Sequence, residues 1–203
     1  MLDPKDLFQL KTSIILTGLM TKHVEAYMSK AKRIFIVGQS GAGKGVVAEE
    51  VAKQLGWKFI NADVLASVAS IGRSVTDVFG AGSEDKFNQT LTEILQHQIT
   101  QENIVVTTDE NVACDPKARE ILKSEFTVYI EVSTSVQAER MSNYRPLLPV
   151  ADYSALLDGL QKERNPWFAE VASFTINSDN GDIERDAKQY LSLVTKKFDI
   201  FKF

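Results

Sequence analysis

The segment Gly38-Gln-Ser-Gly-Ala-Gly-Lys-Gly45 carries the most chemistry in the chain. Glycines let successive backbone N–H groups converge on one point without Cβ clashes, and a lysine beside them adds a mobile cation. Between a strand and the start of a helix, such a turn cradles a polyphosphate, because the amides and the positive helix end face charged oxygens. Seven of the eight positions fit the pattern Gly-x-x-x-x-Gly-Lys-Ser/Thr. The eighth, Gly45, has no hydroxyl where the pattern places a ligand of Mg2+. The spacing therefore predicts a nucleotide phosphate site at Gly41, Ala42, Gly43, Lys44 and Gly45, with a weakened or displaced metal.

A phosphate turn needs a strand before it and a helix after it, and the chain supplies both. Short apolar runs rich in β-branched and aromatic residues read as strands at 33–37, 58–60, 103–107, 126–131 and 173–176. Helical periodicity fills 44–55, 84–101, 116–123, 135–142, 153–163 and 183–197. Alternation of this kind predicts an α/β fold with a parallel sheet covered on both faces. Before it, apolar residues at three- and four-residue steps predict an N-terminal helical extension over 1–31, with Asp3 and Pro4 suited to open it. That extension is a candidate for self-association. The rest, 32–203, reads as one domain.

Composition narrows the function. The chain has 203 residues, with 23 Lys and Arg against 27 Asp and Glu, a formal charge of −4. A mildly acidic surface argues against sequence-independent nucleic-acid binding. No apolar stretch reaches the roughly 20 residues that cross a bilayer, so no membrane partner is expected. The single cysteine, Cys114, allows no intrachain disulfide and fits the cytoplasm. A small molecule is the expected partner.

From residue 32 to about 195 the chain resembles the shikimate kinases, a family of small P-loop kinases. Ordered signatures carry the resemblance: the turn at 38–44, Phe59-Ile-Asn-Ala-Asp63, Gly72-Arg-Ser-Val-Thr-Asp-Val-Phe79, Glu84-x-x-Phe87, Arg145-Pro-Leu-Leu148 and Glu163-Arg-Asn-Pro-Trp-Phe-Ala-Glu170. The resemblance implies a three-layer P-loop fold with sheet order 2-3-1-4-5 and a lid at about 141–153. It implies transfer of the ATP γ-phosphoryl group to a hydroxyl of a small carboxylated acceptor, with Mg2+. By position it implies that Arg140 packs on the adenine and that Lys44 and the lid residue Arg145 meet the phosphates. It also implies that Arg164 grips the acceptor carboxylate and that Asp63 binds the acceptor hydroxyl as candidate base.

The chain departs from the family pattern in four places, one of them three residues long. Gly45 replaces a hydroxyl, Asn61 a metal-side aspartate, Asn88 a carboxylate-binding arginine, and Asp109-Glu-Asn111 a glycine triplet. The acceptor side loses positive charge and gains two carboxylates. A second reading, a nucleotide-binding protein with a degenerate acceptor site and little transfer, follows from these changes. In a 2-3-1-4-5 sheet the third strand ends beside the phosphate turn, so Ile104-Val-Val-Thr-Thr-Asp-Glu110 also predicts that Asp109 takes over the metal shell and that Glu110 orients a water or hydroxyl. A plain bend favoured by Asn111 is the competing expectation. His23 and His97 read as helix-face residues, Cys114 and Trp57 as packing, and Trp167 as either core or acceptor wall.

Overall fold

The structure is a computed structural model. It describes residues 33–61, 84–144 and 153–180, together with 185, 187–190 and 192. The expected N-terminal extension, Asp63, Arg145, most of the lid and most of the expected helix 183–197 lie outside the described residues.

The central strand is β1 (Arg33–Val37), whose residues Ile34 to Val37 are fully buried. A continuous apolar run suits a strand covered on both faces. β2 (Lys58–Ile60), β3 (Ile104–Thr107), β4 (Phe126–Glu131) and β5 (Phe174–Asn177) complete one parallel sheet in the order β2-β3-β1-β4-β5. This is the α/β order the family resemblance implies. The strand bounds agree with the sequence pattern to within one residue.

Five α-helices have described bounds, α1 (Lys44–Leu55), α2 (Glu84–Gln98), α3 (Pro116–Ser124), α4 (Thr134–Tyr144) and α5 (Tyr153–Val171), and the described residues among 185–192 are helical too. α1 buries Val47, Ala48, Val51 and Ala52, a stripe at helical spacing. α3 starts where its sequence says it should. Asp115 accepts a hydrogen bond from the Lys117 N–H at 2.9 Å, and Pro116 occupies the first turn, where no intrahelical donor is needed. Among the described residues no helix is long and apolar enough to cross a membrane.

α2 ends three residues before the expected 101, and α5 departs furthest from its sequence pattern. α5 runs on past residue 163 to Val171 and carries Pro166 in its interior. Proline removes a helical donor and crowds the preceding turn, so local propensity disfavours a helix through this point. Burial beyond it offsets that cost: Phe168 is fully buried, its ring 5.4 Å from that of Tyr129, and Val171 joins the same core.

The topology places the site. The connection after β1 runs toward β2 and that after β3 runs to the far side, toward β4. The carboxyl ends of β1 and β3 therefore open a crevice, where ligands bind in open α/β sheets. The phosphate turn leaves β1 at Gly38, whose φ is +142°. A Cβ there would lie 2.5 Å from the Ile130 carbonyl oxygen on neighbouring β4. Gly38→Ala is therefore expected to destabilise the fold by about 3 kcal/mol, from strained φ and steric overlap together. Urea unfolding checks this, and a midpoint equal to the parent's would contradict it.

Candidate functional site

The turn after β1 has its carbonyls tied back. Ser40 O accepts from Gln137 Nε2 at 2.8 Å. Ala42 O accepts from Ser178 Oγ at 3.0 Å and from Arg140 Nη1 at 3.3 Å. None of the described peptides is cis, and a trans peptide carries its N–H opposite its C=O. The N–H groups of Gly41 and Gly43 are thus turned away from these partners, and both residues line a cavity of about 370 Å3. Gly43, at φ +92°, is also the N-cap of α1, so the positive helix end faces the same space.

Lys44 and Gly45 line this cavity too. Lys44 Nζ donates to the carbonyls of Gly38 at 2.8 Å and Gln39 at 2.9 Å. A Cβ built on Gly45 meets no atom within 4 Å, so space does not exclude a side chain there. Ala42 is 1% exposed and supports the turn from behind through its carbonyl.

The end of β3 forms the opposite wall. Asn61, Thr107, Thr108, Asp109 and Glu110 all line the cavity. Two of the four departures from the family pattern, Gly45 and Asn61, therefore face the Asp109–Glu110 pair of a third. Asp109 Oδ1 accepts from the Asn111 N–H at 2.8 Å and from Asn111 Nδ2 at 2.9 Å, which makes the expected bend. Oδ2 has no hydrogen-bond donor among the described residues. Bend and cavity-facing carboxylate are one residue. Burial, then the Glu110 charge, push the Asp109 carboxyl above its ordinary range, against the bonds from Asn111 and the Lys44 charge. Glu110 Oε2 accepts from Ser40 Oγ at 3.1 Å, and Asn61 Oδ1 accepts from Thr107 Oγ1 at 3.2 Å.

The other expected site residues are spread around this centre. Arg140 lies on the outer side of the turn, where it also donates to Ser178 at the end of β5. Arg164 sits on α5, apart from the phosphate cavity. Its Nε is buried with no hydrogen-bond partner among the described residues, and the same holds for Asn88 Oδ1 on α2. Trp167 packs partly buried against the core, with the Arg119 guanidinium 5.2 Å from its ring centre. Asp63 and Arg145 lie outside the described residues.

The sequence reading passed over Gln39, Gln137, Asn165 and Ser178. Gln39 and Gln137 are each 2% exposed, yet nothing in a sequence marks a glutamine as buried until the topology brings its partners. Gln39 fell at a variable position of the phosphate pattern, and Gln137 in a helix that reads as amphipathic.

Comparison with known proteins gives a consistent result. Residues 40–195 match the family model described as shikimate kinase. The shikimate kinase of Xanthomonas euvesicatoria pv. vesicatoria (strain 85-10) is 32% identical over 156 residues, 75% of this chain and 86% of that protein. The shikimate kinase of Francisella tularensis subsp. novicida (strain U112) is 30% identical over 161 residues, 77% of this chain and 91% of that protein. Among solved structures, shikimate kinase from Acinetobacter baumannii in complex with shikimate aligns with a TM-score of 0.71 and 28% identity, over 85% of this chain and 97% of that one.

Proposed function

Because the chain belongs to the shikimate kinase family, and is thereby an ATP-dependent small-molecule kinase, we propose that it transfers the ATP γ-phosphoryl group to a hydroxyl of shikimate. The observation that carries this reading is the cavity at the end of β1, which Gly41, Gly43 and Lys44 line together. Phosphoryl transfer needs positioning and positive charge around the phosphoryl oxygens, and this cavity supplies both. Lys44 and the two amides stabilise charge on the transferring group. Arg140, on the outer side of the turn, packs on the adenine, and Arg145 closes on the phosphates from the lid. Asp63 orients the acceptor hydroxyl and receives its proton. The buried Nε of Arg164 and Oδ1 of Asn88 supply one donor and one acceptor to the bound acid.

The donor set at the end of β3 fits Mg2+. Its side-chain donors are all oxygen, from Asp109, Glu110, Asn61, Thr107 and Thr108. Hard oxygen donors suit Mg2+, which keeps several waters where protein ligands are few. No group of three or more His, Cys, Asp and Glu gathers among the described residues. When bound, the ion neutralises charge on the phosphate oxygens. Asp109 would hold it or its waters, in place of a hydroxyl at position 45.

An assay of ADP release with ATP, Mg2+ and millimolar shikimate tests the reading. Release that depends on shikimate, with a phosphorylated product, is expected. Tight nucleotide binding with no shikimate-dependent release would overturn the acceptor assignment.

A further inference from the structure

The turn that meets the phosphates is hydrogen-bonded through side chains to the helix that carries Arg164. We propose that Gln39 is a positioning residue that couples nucleotide binding at the turn to the Arg164 segment of α5. The proposal rests on the reading above only for what Arg164 holds.

Gln39 is a polar side chain at 2% exposure. A buried amide left without partners costs about 1–3 kcal/mol, so its bonds fix its position. Its Nε2 donates to Asn165 Oδ1 at 3.1 Å and to the Leu160 carbonyl at 3.4 Å, both on α5. Its own carbonyl accepts from Lys44 Nζ at 2.9 Å. One residue thus holds the phosphate-side cation with its backbone and the acceptor-side helix with its side chain. Asn165 directly follows Arg164, so a movement of the helix backbone at Asn165 also moves Arg164.

The helix is weak at this point. Pro166 offers no N–H, so the Lys162 carbonyl loses its helical donor in the turn that contains Arg164 and Asn165. An outside clamp can then set the local geometry. A second bridge runs beside the first. Ser40, the next residue of the turn, accepts from Gln137, and Gln137 Oε1 accepts from Gln161 Nε2 at 2.7 Å. Gln161, also on α5, donates to the Val132 carbonyl at 3.1 Å. Two consecutive residues of the turn are therefore tied to α5, one directly and one through α4. When Lys44 turns from the carbonyls of Gly38 and Gln39 toward phosphate, the Gln39 carbonyl keeps the Ala42 N–H at 3.3 Å and loses its charged partner, which loosens the peptide between the two connections. Linkage makes the effect reciprocal: whatever nucleotide does to acceptor affinity, the acceptor does to nucleotide affinity.

Trp167, two residues past Asn165 on α5, is a built-in reporter. The chain has two tryptophans, so Trp57→Phe leaves Trp167 as the sole indole. In that background the full chain is titrated with a non-hydrolysable ATP analogue while emission is followed, and calorimetry on the same samples gives nucleotide affinity. The parent is expected to show a saturable change in Trp167 emission. Gln39→Met keeps the volume and removes the amide, and Asn165→Ala removes its partner. Each should abolish most of the change at saturating nucleotide, and the double variant should lose no more than either single one. The nucleotide-dependent gain in shikimate affinity, about fivefold or more in the parent, should fall toward one. A merely structural role would lower melting temperatures and leave the Trp167 response intact. A response that survives both substitutions, or bound nucleotide with no response in the parent, overturns the proposal. If shikimate fails to bind while the Trp167 response still depends on Gln39, the acceptor assignment falls and the coupling stands.

Discussion

Lys44→Ala is expected to lower kcat/KM for ATP by about a thousandfold, some 4 kcal/mol of transition-state stabilisation. The magnitude follows from what else the cavity can offer. The Gly41 and Gly43 amides and the α1 N-terminus carry only partial charges, and Lys44 is the full positive charge that lines the cavity among the described residues. Facing it are Asp109 and Glu110, so without Lys44 the cavity would present two carboxylates to an incoming polyphosphate. The effect is therefore compounded, because a stabilising charge is lost and a repulsion is left unscreened. Lys44 also lowers the Asp109 pKa, and its removal pushes that carboxyl further up. Steady-state kinetics with calorimetry of nucleotide binding separate the two contributions. A loss mainly in kcat marks Lys44 as acting on the transferring group, whereas a loss shared by KM and nucleotide affinity marks ground-state binding. Kinetics equal to the parent's would remove the cavity from the mechanism.

Much of this arrangement is legible in the sequence, for physical reasons that also explain what is not. Buried parallel strands are continuous apolar runs, so Ile34 to Val37 and the four later runs stand out with near-correct bounds. Their order in the sheet came with the family signatures, because spacing alone does not say which runs pair. The phosphate turn is local: eight consecutive residues hold the glycines and the lysine. Asp109 is nearly as local, since acids at a strand end are visible before the sheet is. Their meeting with Gly45 and Asn61 needed the sheet order. The α5 reading stopped three residues short of Pro166, because local propensity counts the lost hydrogen bond and cannot count the burial of Phe168. Least legible are the amide bridges. Gln39 and Asn165 lie 126 residues apart, and Gln137 and Ser40 lie 97 apart. Each looks like an ordinary solvated glutamine or asparagine until the fold buries it, so no local signal could have found them.

Asp109→Asn is expected to raise the Mg2+ concentration needed for half-maximal activity by about tenfold or more. The amide keeps an oxygen for the Asn111 N–H, so the bend survives and the change isolates the charge. Gly45→Ser supplies the complementary test. No atom lies within 4 Å of a Cβ built there, and the residue is the second of α1, where serine costs about 0.5 kcal/mol less than glycine. If Asp109 stands in for the missing hydroxyl, Gly45→Ser should recover much of the Mg2+ response in the Asp109→Asn background and add less in the parent, a non-additive cycle. Two pH signatures go with this. The folded-state pKa of Asp109 is raised, so metal affinity in the parent should fade on acidification at a higher pH than an ordinary aspartate would give. The same shift means that the folded state binds the proton more tightly than the unfolded chain. Ionised Asp109 therefore costs stability above its folded pKa, and costs none below the unfolded value of 3.8. Without metal, Asp109→Asn should then melt higher than the parent near neutral pH and level with it near pH 3. A carboxylate kept in the fold at a cost to stability and recovered by Mg2+ is the behaviour of a ligand. An Mg2+ requirement equal in parent and variant would leave Asp109 as the residue that makes the bend and nothing more.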